Sequence, residues 1–171
     1  MNLRPQAVKM VLAHGLPVVI EVTADSMTPS LERGTKVKVE PAPGELLPGE
    51  IVLILIEDGS AMLLHRVMHV FSAGKRQFVI HQGDAPTSMF ATCPREAVIG
   101  RAAAYALAPS RLLPIPEPTN ADARVRFHRR RRACALFALG QRVASSLHVS
   151  ERPVTRRLAR AYRDAARKFA G

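Results

Sequence analysis

The run Ser26-Met27-Thr28-Pro29-Ser30-Leu31 puts a hydroxyl where the backbone cannot be regular. Pro29 brings no N–H and blocks helix or ladder, so Ser26 is expected on a turn, with its side chain free of a repeating hydrogen-bond pattern. A serine becomes a nucleophile only when a nearby base removes its proton and N–H groups hold the oxyanion that forms on the substrate. Three later segments are candidates to complete such a site: Gly49-Glu50-Ile51-Val52, His65-Arg66-Val67 and Gly83-Asp84.

The elements that must position these residues read mainly as strands. Residues 18–23 are β-branched and apolar and lead straight into the serine. Residues 36–40 alternate polar and apolar with period two, and 51–56 form an unbroken apolar run. Asp58-Gly59 is a hairpin signal, after which 61–71 return as the strand carrying His65. A turn at 72–75 precedes a strand at 77–82 that ends at Gly83-Asp84, and 98–107 is the last strand candidate. Ahead of them, Pro5 and Gly15 bracket a short helix over 6–14.

After residue 107 the pattern changes. Pro109, Pro114, Pro116 and Pro118 make 108–120 an extended linker. Beyond it, Ala133, Leu136, Phe137, Gly140, Val143, Ala144 and Leu147 fall on one helical face, and Leu158, Ala161, Tyr162, Ala165 and Phe169 on another, with Ser150 as an N-cap between them. The expected organisation is a β domain over 1–107, a linker over 108–120 and a basic helical tail over 121–171.

The 171 residues carry a net charge of +11, but the charge is not spread evenly. Residues 1–120 hold 11 basic and 11 acidic side chains, whereas 121–171 hold 14 and 3, so any basic partner surface belongs to the tail. Cys93 and Cys134 are far apart, without CxxC or clustered histidines, which points away from a disulfide framework or a structural zinc site. The longest apolar run is far short of the roughly 20 residues that span a bilayer. A soluble or peripheral chain in a reducing, cytoplasmic compartment is expected.

Taken together, Ser26-Met27 with Pro29 and Leu31, Arg33-Gly34 before the Val37/Val39 strand and Pro41, Gly49-Glu50-Ile51-Val52, His65-Arg66-Val67, Gly83-Asp84 and Gly100-Arg101 occur in the order of a known family. Over residues 18–107 the chain resembles the serine peptidases that include signal peptidases and the self-cleaving LexA-like repressors. A histidine in the His65-Arg66 box makes it similar to the endoplasmic-reticulum and archaeal signal peptidases rather than the bacterial Ser-Lys type. The resemblance implies a signal-peptidase/LexA-like β-rich peptidase domain, with Ser26 as nucleophile, His65 as general base and Asp84 as a supporting acid. Met27 and Pro29 become candidate contacts with the substrate, although Met27 and Met89 also read as apolar filler. The chain departs from the family pattern at Ala24, Thr35 and Glu50, where glycine or aspartate is usual.

The resemblance implies cleavage of a precursor peptide or protein after a small residue, through a Ser-His dyad and with no cofactor. The alternative is a catalytically degenerate module that holds a peptide or partner on the same fold. In either case residues 121–171 could lie on an anionic membrane surface, or pack back on the β domain or against a partner protein; nucleic acid is the weaker candidate, since neither a helix-turn-helix pattern nor interleaved aromatics accompany the charge. His14, His69, His81, His128 and His148 have no ligand spacing and read as incidental.

Overall fold

The computed structural model describes residues 4–42, 44–56, 59–106, 113–114 and 121–146. Helix α1 (Pro5–Ala13) starts on Pro5, where the missing N–H costs nothing, and buries Val8 and Leu12. Gly15, with φ of 79°, takes the left-handed turn that releases the chain into β1 (Val18–Glu21). A single 3-10 turn, Asp25–Met27, carries Ser26, as Pro29 led us to expect, and the Thr28–Pro29 peptide is cis.

The remaining strands are β2 (Lys36–Pro41), β3 (Ile51–Leu55), β4 (Met62–Ala73), β5 (Arg76–Gln82), β6 (Ala91–Pro94), β7 (Val98–Ala106) and β8 (Leu113–Pro114), with a second 3-10 turn at Arg95–Ala97 between β6 and β7. Hydrogen bonding runs β1-β2-β7-β3-β4-β5-β6, with β8 on β7, and every pair is antiparallel. The fold is therefore mainly β, as the alternation in the sequence implies. Strand β6 was not expected: as the last strand on the path it needs only one neighbour, and its short Ala-Thr-Cys-Pro sequence has no period-two signature.

Opposite faces of the strands feed different cores. Val8, Leu12, Met27, Leu31, Val37, Val39, Ile51 and Leu53 pack together, with Met62 and Leu64 of β4 against them. Val52, Ile54, Val67 and Val79 form a second cluster, joined by Leu63. A third consists of Met68, Phe71 and Ile80 under Cys134, Phe137 and Ala138 of α2 (Ala121–Ser146).

In this third core α2, the first helix of the basic segment, packs back on β4 and β5, one of the placements the sequence leaves open for it. Within 108–120, Leu113 and Pro114 pair with Tyr105 and Ala104, so part of the expected linker is strand; a proline is tolerated there because, among the described strands, β8 has a neighbour on one side only. The buried face of α2 also differs in detail: Cys134 is buried whereas Leu136 is 56% exposed. The side chains of Val143 and Ala144, and the second helix expected through Leu158 and Phe169 with its cap Ser150, lie outside the described residues.

Candidate active site

Ser26 is half-buried, and its own main chain anchors it. Its carbonyl accepts the N–H of Ala85 at 3.0 Å, just past the end of β5, and Thr28 N–H closes the 3-10 turn onto Asp25. A side chain at Gly83 would overlap the Ser26 carbonyl oxygen, so the two backbones meet with room for glycine alone. Ser88 braces the same loop: its Oγ accepts the N–H of Gly83 at 3.0 Å and its N–H donates to Ala85. The expected Gly83-Asp84 motif is thus where the chain leaves β5 and meets the serine turn.

His65 lies on β4, 8% exposed, one residue beyond the Arg66–Gln82 pair and so across from Gly83. Ser26 thus meets the end of β5 at Gly83 through its carbonyl, and the turn that carries it contacts β4, where His65 precedes Arg66, the partner of the last β5 residue, Gln82. Among the described residues no hydrogen bond joins Ser26 Oγ to the imidazole. The bond that His65 does make is to another histidine: its Nδ1 lies 2.9 Å from Nδ1 of His81, on β5 and 3% exposed. The rings are 5.1 Å apart and tilted by 49°. His81, read from sequence as incidental, is thus the direct partner of the expected base.

Burial governs the charge of this pair. It pushes His65 below its ordinary value of 6.5, opposed in part by the nearby carboxylate of Asp84. It pushes His81 down to about 4, helped by repulsion from a charged His65. Both rings are consequently neutral at pH 7, and His65 can accept a proton there.

Asp84 faces Arg66 instead of the imidazole. Arg66 Nε donates to Oδ1 at 2.9 Å and Nη2 to Oδ2 at 2.6 Å, a two-pronged pair with the arginine side chain 3% exposed. Arg66 Nη1 also donates to the Gly49 carbonyl at 2.6 Å, and Nη2 reaches Ser30 Oγ at 3.5 Å. This one side chain ties together the serine turn, the start of β3 and the Gly83-Asp84 loop. The role expected for Asp84, support of His65, is reduced to its charge at a distance; its hydrogen bonds belong to Arg66.

A groove of about 400 Å³ opens beside Ser26, between β1 and the residues leading into β4, with Val19, Ile20, Glu21, Ser60 and Leu64 among its lining. A second hollow, on Asp25, Ser26, Thr28, Ala85, Thr87 and Ser88, meets it at the serine. Met27 reaches the first groove only as floor, since it is 1% exposed and part of the core, and Pro29 lines neither depression. Met89, at 59% exposed, is not core filler.

Neither cysteine competes for the role of nucleophile: burial pushes the Cys93 thiol up to about 11 and that of Cys134 to about 12, far from a thiolate at neutral pH. Among the described residues no group of three or more His, Cys, Asp or Glu could hold a metal ion, and no helix is long and apolar enough to cross a membrane. No family model matches this chain, and no curated protein or solved structure matches it either.

Proposed function

We propose that this chain is a serine endopeptidase of the signal-peptidase type that cuts a precursor peptide or protein after a small residue. The observation that carries this reading is the placement of Ser26. It sits on a pinned turn, at the junction of two depressions, and that turn contacts β4, the strand that carries the buried His65.

In this reading the substrate lies extended along the outer edge of β1, which among the described strands pairs with β2 alone and ends the sheet. Main-chain bonds to that edge give affinity, and the groove lined by Ile20 and Leu64 takes side chains ahead of the cut. Ser26 Oγ attacks the carbonyl carbon while its proton passes to His65. The N–H of Ser26, in a turn whose N-cap Ala24 makes no side-chain cap bond, holds the oxyanion. The amine then leaves with the proton from His65 across the hollow of Ala85 and Ser88, and water, deprotonated by the same imidazole, frees the acyl group.

The test is to incubate the full chain and Ser26→Ala with a diverse peptide mixture and to read new termini by mass spectrometry. Cuts after small residues that vanish in the variant support the peptidase. Identical termini favour a second reading, a peptide-holding module, to which the missing Ser26–His65 bond and the commitment of Asp84 to Arg66 lend weight.

In both readings the outer face of α2, with Arg129, Arg131 and Arg132 exposed beside Val125, Leu136 and Leu139, is a surface for an anionic membrane. Co-sedimentation with phosphatidylserine vesicles that is lost at high salt is the expected result. Retention on nucleic acid with no vesicle binding would assign the charge otherwise.

A further inference from the structure

Two imidazole Nδ1 atoms 2.9 Å apart can share only one hydrogen. With two, the N–H groups would collide; with none, two lone pairs would face each other in a site nearly closed to water. One ring must donate and the other accept. The choice fixes both tautomers, because each neutral imidazole carries a single N–H.

We propose that His81 is the positioning residue of this site, accepting the Nδ1–H of His65 and so leaving the Nε2 lone pair of His65 free to take the Ser26 proton. This rests on the peptidase reading and extends it to a Ser26–His65–His81 triad, in which His81 occupies the place usually given to a carboxylate. Asp84 does not fill that place here: its bonds go to Arg66, and Nδ1 of His65 is already engaged by His81.

The direction of the bond follows from the charges around the pair. When the proton leaves Ser26 Oγ it binds Nε2 of His65, which becomes an imidazolium and keeps Nδ1–H pointed at His81. The cation is favoured on His65 because the Asp84 carboxylate acts on that ring, while His81, deeper and held near 4, resists it. Arg66, the next residue along β4, has its charge paired with Asp84. On the β3 side the facing residue is apolar Val52, and Glu50 at the start of that strand is bound to Arg101. Starting from Nδ1–H on His65, no hydrogen has to move between the rings during the reaction. The reverse tautomer would present Nε2–H to the serine and could not act as a base.

The experiment uses the full chain labelled with ¹⁵N-histidine. Long-range ¹H–¹⁵N correlation at pH 7.5 should find hydrogen on Nδ1 of His65 and on Nε2 of His81, assigned by loss of signals in His81→Asn. Hydrogen on Nε2 of His65 with a bare Nδ1 overturns the proposal, whether or not the protein cleaves anything.

A second arm follows modification of Ser26 by a fluorophosphonate. His81→Ala should slow it about 100-fold, and His81→Asn, whose Oδ1 can accept the same hydrogen, should recover it to within about tenfold of wild type. His81→Asp, placing an anion on His65, should move the midpoint of the pH–rate curve upward. An unchanged rate and midpoint in His81→Ala overturns the proposal. Failure of the wild type to react would count against the peptidase reading alone, and the tautomer measurement would still decide how His65 and His81 are arranged.

Discussion

Asp84 and Arg66 form a two-pronged ion pair, Nε to Oδ1 at 2.9 Å and Nη2 to Oδ2 at 2.6 Å, with the arginine almost wholly buried. Because the same guanidinium also binds the Gly49 carbonyl, it crosslinks three segments that are distant in sequence. Removing one partner leaves the other as an uncompensated buried charge, which costs roughly 3–5 kcal/mol. Arg66→Ala is therefore expected to lower the urea midpoint sharply. Arg66→Lys should recover little, since an ammonium cannot fork. A stable Arg66→Ala protein would mean that the pair is not what holds the Gly83-Asp84 loop.

The buried histidines make stability depend on acid in a defined direction. The unfolded chain protonates His81 from about pH 6.5 downward, whereas the folded protein resists until about pH 4. The contribution of His81 is complete above pH 6.5, falls as pH drops towards 4 and changes no further below that. The total is on the order of 3 kcal/mol, and His65, shifted in the same sense, adds to it. Urea midpoints measured between pH 4.5 and 6.5 should fall with acid in the wild type and fall less in His81→Asn. Parallel slopes would mean that His81 is already solvated.

Much of this scaffold is legible in the residues. Alternation or apolar runs give β2, β3, β4 and β5 to within a few residues, and Pro29 gives the turn at Ser26. What the residues do not give is the hairpin register. From the Ala73–Arg76 turn, Phe71 pairs with Phe78 and His69 with Ile80, a register that continued evenly would put His65 opposite Asp84. A bulge between Val67 and His69 shifts the pairing by one, so Val67 meets His81 and Arg66 meets Gln82. His65 then lies opposite Gly83 and diagonal to His81. No side chain in this stretch announces the extra residue, so the sequence does not show that His81 meets His65; the supporting role of Asp84 comes from the family resemblance, and His81 reads as incidental because it has no ligand spacing.

Helix α2 is expected to matter to the site although it carries none of its residues. Phe137, 5% exposed, packs on Met68 and Phe71 and meets Phe90 with ring centroids 5.5 Å apart, while Arg130 donates to the carbonyl of Pro86 in the loop that holds Ser26. Truncating a buried phenylalanine costs about 3–5 kcal/mol. Phe137→Ala should lower the denaturation midpoint accordingly, and hydrogen exchange at Ala85 and Ser88 should quicken more than at β2. Uniform quickening would mean that α2 stabilises the domain as a whole without bracing that loop.

Gly83 offers the sharpest separation of stability from chemistry. A methyl group there meets the Ser26 carbonyl oxygen and comes within 2.6 Å of Ser88 Oγ, and the backbone oxygen can yield only if the serine turn moves. Gly83→Ala is expected to cost about 1–3 kcal/mol through overpacking. In the peptidase reading it also slows fluorophosphonate modification of Ser26 by about 100-fold, since a shift of about 1 Å suffices for that. Gly74→Ala is the matched control. With φ of 61° in the β4–β5 turn and nothing within 4 Å of an added Cβ, it carries a backbone penalty of about 1 kcal/mol far from the serine. Equal loss of stability with unequal loss of Ser26 reactivity ties the Gly83–Ser26 contact to positioning of the nucleophile. Equal losses of both would leave Gly83 a packing residue and nothing more.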